Sequence, residues 1–130
     1  MLTENDKINI IREYIAGYNE YNVDKMLKHV SNNIHFMNIT RDLITLNIQG
    51  KKDFRSVTEK SKSMFKKRKQ EIDGVSFQND AVEIAVKYSA FFGDGFSNQI
   101  SNGKKLKLKG KSVFKFNKNE IIEIQDIIYP

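Results

Sequence analysis

Along the first third of the chain, apolar residues return every third or fourth position. Ile8, Ile11, Ile15 and Tyr18 share one side with Tyr14, and this spacing predicts a helix over residues 4 to 21. Thr3 and Asp6 stand ahead of it as a capping box. Asn22 can cap a second, shorter helix carrying Val23, Met26, Leu27 and Val30, which should end near Ser31, Asn32 and Asn33. The period then changes. Residues 34 to 39 alternate, with Ile34 and Phe36 on one side and His35 and Met37 on the other, and residues 43 to 48 are rich in β-branched types, so both stretches read as strands. After Gly50, a helical face of Phe54, Val57, Ser61, Met64 and Phe65 predicts a third helix.

From about residue 68 onward the alternation has a period of two. Val82, Ile84, Val86, Tyr88, Ala90 and Phe92 fall on one face of a strand, and a loop over residues 93 to 103 with three glycines follows. Leu106, Leu108, Gly110, Ser112, Phe114 and Phe116 then face one way while Lys105, Lys107, Lys109, Lys111 and Lys115 face the other. After a tight turn at Lys118 and Asn119, the residues Ile122, Ile124, Asp126 and Ile128 again share a face. Helices first and antiparallel strands after them predict an α+β fold, with the N-terminal helices packed in the concave face of a curved, mostly antiparallel sheet. The 130 residues suit one domain spanning 1 to 130.

Composition narrows the chemistry. With no cysteine, disulfides, thiolate metal sites and a thiol nucleophile are excluded. The first residues carry acids and no apolar run, which predicts a cytoplasmic protein without a membrane span. Net charge is +6, with nine of the 22 Lys and Arg in residues 51 to 69 and seven in the acid-free stretch 104 to 118. A nucleic-acid surface would interleave such cations with exposed aromatic rings, whereas Phe114 and Phe116 point away from the lysines. The lysine ladder therefore reads as a solvated outer face that blocks aggregation.

Several stretches together carry a resemblance: residues 13 to 19, Val23 to Leu27, a strand ending at Asn38, Gly50 before the third helix, and Gly110 to Phe116 followed by Ile121 to Ile124. In order and spacing these resemble the nuclear transport factor two-like superfamily, with its polyketide-cyclase-like and ketosteroid-isomerase-like members. The resemblance implies a cone-shaped fold with a cavity at its open end, and a homodimer formed through the outer sheet face. Residue by residue, the isomerase tyrosine falls on Tyr14, but its aspartate base falls on Asn38 and its late-strand acid on Ser112. Asn38 cannot accept a proton at neutral pH, so steroid isomerisation is not expected.

Asp126 is the carboxylate that alternation places on the apolar side of the sheet, and an aspartate on the closing strand also resembles the cyclase-like members. Desolvation there would raise its pKa toward a range useful for a general acid or base, and Ser112 would lie across from it if Phe116 pairs with Ile122. The bland alternative makes Asp126 a satisfied structural acceptor. Tyr14, Tyr18 and Tyr88 face inward by periodicity, as pocket hydroxyls or as core tyrosines bonded locally. His29 and His35 have no spacing suited to a metal pair, and neither a metal nor a cofactor is expected.

Two readings follow. One is a binder or enzyme for a small, largely apolar molecule of unknown identity, in a cavity lined by Phe36, Phe54, Ile84, Val86, Phe114 and Ile124. There Asp126 would move a proton and Tyr14 would stabilise a developing enolate, with Tyr18, Asn38, Tyr88 and Ser112 as further ligand contacts. The other is a non-catalytic binding or adaptor module acting as a homodimer. For the dimer, the expected outer-face apolar residues are Phe91, Val113, Ile121, Ile127 and Tyr129.

Overall fold

A computed structural model describes residues 2 to 92 and 105 to 129, so the predicted loop over residues 93 to 103 lies outside the described residues. Helix α1 (Glu4–Asn19) starts at the expected capping box, where Thr3 Oγ1 accepts from the Asp6 amide at 3.1 Å and Asp6 returns a bond to the Thr3 amide at 3.0 Å. Helix α2 (Val23–Leu27) is capped by Asn22, whose side chain accepts from the Lys25 amide at 3.1 Å. The chain turns back so closely here that a Cβ on Gly17 would strike the backbone of Met26. Strand β1 (Val30–Thr40) begins earlier than the helical spacing of Val30 suggests. Val30 pairs with Ile121, and that strand contact shortens α2 against its own periodicity.

A hairpin turn with positive φ at Arg41 and Asp42 leads into β2 (Leu43–Gln49), and Gly50, at φ 94°, turns the chain into α3 (Lys51–Met64). Met64, expected on the inner face of α3, is exposed at the end of the helix. Four long strands follow: β3 (Phe65–Phe77), β4 (Ala81–Phe92), β5 (Lys105–Asn117) and β6 (Glu120–Tyr129). They form one sheet in the order β2-β1-β6-β5-β4-β3, antiparallel throughout except for the β1/β6 pair. Bulges at Asn38/Ile39, Ile72/Gly74 and Lys115/Phe116 help curve it, because an extra residue bends the strand that carries it.

The core lies between the helices and the concave face. Ile11, Ile34, Ile84, Phe114, Ile121 and Ile124 have no accessible surface. The last bulge corrects the expected register, since Phe116 faces Ile121 and not Ile122. Ile121, expected on the outer face, is therefore in the core and unavailable to a partner, while Ile122 is only half-buried. Of the other expected outer-face residues, Tyr129 is exposed, Val113 and Ile127 are half-buried, and the Phe91 side chain is not among those described. Two rungs of the lysine ladder are ion-paired on that face, Lys111 with Glu83 at 2.9 Å and Lys115 with Glu123 at 3.5 Å. No described helix is long and apolar enough to cross a membrane.

Candidate functional site

The helices leave a cavity of about 360 Å³ between α1, α3 and the sheet, within the range of small-molecule sites. Its wall is mostly apolar, from Met26, Phe36, Leu46, Phe54, Val57 and Val86, with Phe36 and Phe54 stacked at 4.6 Å between ring centres. Leu106 and Leu108, expected in the core, are half-buried and border it. The predicted lining residues Ile84, Phe114 and Ile124 lie in the packed core and not on the cavity wall. The Phe114 ring meets that of Tyr14 edge-on at 5.6 Å.

Polar groups gather at two ends of the wall. At the first, β1, β5 and β6 run side by side and put Asn38, Ser112 and Asp126 in one row, because Asp126 is in register with Asn38 on one side and Ser112 on the other. Ser112 donates to Asp126 Oδ1 at 2.7 Å. Among the described residues Oδ2 has no hydrogen-bond partner, nor has the Asn38 amide. Asp126 is half-buried and borders the cavity. Desolvation pushes its carboxyl up to about 6, against which the Ser112 bond is the lesser influence.

Tyr14, projecting from α1 toward this row, is 4% exposed, and its hydroxyl makes no hydrogen bond to a described residue. Burial holds its pKa well above the ordinary value, the Asp126 charge adds to the rise, and the proton stays on the oxygen at any physiological pH. One turn further along α1, Tyr18 and Tyr88 share a hydroxyl-to-hydroxyl bond of 3.2 Å, and burial raises both.

The second end contains a residue that the sequence pattern did not single out. Arg68, near the start of β3, is 6% exposed and borders the cavity. Its Nε and Nη2 donate to the Tyr18 carbonyl at 3.3 and 3.2 Å, and Nη1 donates to Ser61 Oγ at 3.0 Å. The guanidinium lies 3.8 Å from the centre of the Tyr18 ring and 4.7 Å from that of Tyr21. Beside it, Asn19 clamps the backbone of Gln70 with bonds of 2.9 and 2.7 Å and so fixes the end of α1 against β3. The signal that could have located Arg68 was weak: it has the same strand parity as Gln70 and Ile72, but lysines surround it. His29 and His35 are elsewhere, near Glu13 at 3.4 Å and against Asn47 at 2.6 Å. No group of three His, Asp or Glu among the described residues is placed to hold a metal.

No protein-family model matches the chain, and no curated protein matches its sequence. Solved structures do match in shape. A candidate SnoaL-like polyketide cyclase from Shewanella denitrificans OS-217 superposes with a TM-score of 0.81 at 14% identity, covering 98% of this chain and 92% of that one. An NTF2-like protein of unknown function from Cytophaga hutchinsonii ATCC 33406 gives 0.70 at 18% identity, covering 100% and 96%. TerC, co-crystallised with polyporic acid, gives 0.76 at 11% identity, covering 95% and 92%. The likeness is one of architecture, and the chain has the fold of the nuclear transport factor two-like proteins, SnoaL-like cyclases among them.

Proposed function

We propose that the chain binds a small, largely apolar carbonyl compound in this cavity and moves a proton with Asp126. The observation that carries the reading is the state of that carboxylate. It borders an apolar cavity, one oxygen is held by Ser112 at 2.7 Å, the other has no partner among the described residues, and its pKa is about 6. At neutral pH such a group is mostly ionised yet basic enough to accept a proton, which suits a general base. The proton leaves a carbon next to the carbonyl for Asp126, and the electron pair of that C–H bond becomes an enolate. Tyr14, kept protonated by burial, donates a hydrogen bond to the enolate oxygen as charge develops there. Returning the proton to another carbon gives isomerisation, and attack of the enolate carbon on a second carbonyl gives ring closure. The ligand held by TerC supports a small-molecule role for a cavity of this kind.

The test uses 2-tetralone, an apolar ketone with acidic C–H bonds, incubated with the protein in D2O and followed by NMR. Exchange faster than in buffer is expected, slowed by about 10²- to 10⁴-fold in Asp126→Asn. Undiminished exchange in Asp126→Asn would remove Asp126 from the chemistry. Binding of the ketone with no exchange in the parent would favour the second reading, a non-catalytic module. That reading draws on the outer sheet face, where Tyr129 is exposed and Ile127 half-buried, a patch suited to a homodimer. Ile127→Lys should then convert a sedimenting dimer to monomer, and a parent chain that is already monomeric would exclude this interface.

A further inference from the structure

At the end of the cavity away from Asp126, Arg68 presents hydrogen-bond donors that no described residue accepts. A guanidinium has five N–H groups, and Arg68 commits three of them, two to the Tyr18 carbonyl and one to Ser61. One N–H on each Nη has no acceptor among the described residues, and no described carboxylate pairs with the cation. Tyr21, under the same guanidinium but not on the cavity wall, has a buried hydroxyl without a partner among the described residues. The C-terminus of α1 offsets part of the positive charge, because Tyr18 belongs to its last turn and that turn contains no basic residue of its own. A helix terminus supplies only about half an elementary charge, so a buried cation remains incompletely matched beside an open cavity.

On the reading that the cavity binds a small molecule, we infer that its ligand is an acid whose carboxylate is bound by Arg68 and whose apolar body extends toward Tyr14 and Asp126. A carboxylate presents two oxygens in one plane, which the planar fork of a guanidinium can meet with charge-assisted bonds. Tyr14 and Tyr18 fix the spacing, being four residues and hence about 6 Å apart along α1. The acid group would then lie beside Tyr18 and the reacting carbon beside Tyr14, on successive turns of α1. This keeps the ligand's negative charge away from the Asp126 carboxylate.

Isothermal titration of the full chain with 2-naphthoate and with 2-naphthamide tests this, since the two share a body and differ in charge. The parent should bind the naphthoate at least tenfold more tightly. Arg68→Gln should abolish that preference, and Arg68→Lys should retain part of it. Equal affinities in the parent, or tighter binding of the amide, overturn the acid-binding inference and leave the cavity reading intact, whereas binding of neither compound overturns both. A preference that survives Arg68→Gln overturns the assignment of the anion to Arg68. If the Arg68 variants fail to fold by circular dichroism, the parent's pair of affinities alone still decides whether the site prefers an anion.

Discussion

Among the described residues, a carboxylate at one end of the cavity, Asp126, is held by a single hydroxyl, and a guanidinium at the other, Arg68, is held by three hydrogen bonds and two aromatic rings. Both are charged groups taken largely out of water, and each must lose hydration to be there. Their surroundings compensate very differently. Arg68 ties α3, the end of α1 and the start of β3 together, so its charge contributes to the architecture. Asp126 ties only two neighbouring strands that the sheet already joins, and its raised pKa records a net unfavourable environment for the ionised form. A charge that the fold tolerates without using it structurally is the stronger candidate for chemistry.

The widest separation between the two ends should appear in catalysis. Asp126→Asn removes the proposed base and should lower ketone exchange by about 10²- to 10⁴-fold, while Arg68→Lys, which keeps a cation, should change the exchange of a neutral ketone by less than about tenfold. In the parent the exchange rate should fall roughly tenfold between pH 7 and pH 5, as Asp126 with its pKa of about 6 takes up a proton. A profile flat across that interval would mean that a different group is the base.

Stability should move in the opposite direction. The folded pKa of Asp126, about 6, lies above its ordinary 3.8, so the fold favours the protonated form. Its contribution is best below pH 3.8, declines as pH rises through the window from 3.8 to 6, and is constant above it. The accumulated penalty at pH 8 is at most about 3 kcal/mol. Asp126→Asn escapes it, because the amide oxygen still accepts from Ser112. Urea unfolding should show the variant more stable than the parent at pH 8 and level with it near pH 3. Equal or lower stability at pH 8 would mark Asp126 as a structural acceptor.

Arg68 provides the contrasting case. Arg68→Met keeps the bulk but takes two donors from the half-buried Tyr18 carbonyl, which retains the Tyr21 amide at 3.2 Å, and one from Ser61, and should destabilise the chain by about 1 to 2 kcal/mol. A guanidinium does not titrate in the accessible range, so this loss should be the same at pH 5 and pH 8. A loss below about 0.5 kcal/mol would remove the distinction between the ends.

How far each end was legible in the sequence follows from local regularity. Asp126 stands out because β6 alternates cleanly, and Ser112 follows from β5 by pairing; the Lys115/Phe116 bulge shifts only the rungs nearer the turn, leaving Ser112 opposite Asp126 as expected. Tyr14 and the layered α+β fold are likewise set by long, regular periodicities. Arg68 lies three residues after the period changes from helical to extended, within Lys66-Lys67-Arg68-Lys69, where a solvated run is the natural reading. Its burial depends on β3 pairing Arg68 with Ala90, a long-range contact that no local pattern encodes. Ile121 was misplaced for a related reason, since a one-residue bulge reverses which face a side chain takes.

The smallest effect should come from the link between Asp126 and its strand neighbour. Ser112 is 5% exposed, and its hydroxyl lowers the Asp126 pKa by donating to the ionised form, against the larger upward push of desolvation. Ser112→Ala removes that donor and little volume. The Asp126 pKa should rise above 6, moving the acid limb of the exchange profile to higher pH by up to about one unit. Because the bond favours the ionised form, its loss should destabilise the chain by about 1 kcal/mol at pH 8 and by less at pH 3, the reverse of the Asp126→Asn pattern. NMR titration of the Asp126 side-chain carboxyl carbon measures the shift directly, and urea unfolding at the two pH values measures the linkage. A carboxyl that titrates unchanged in Ser112→Ala would show that the 2.7 Å bond does not persist in solution.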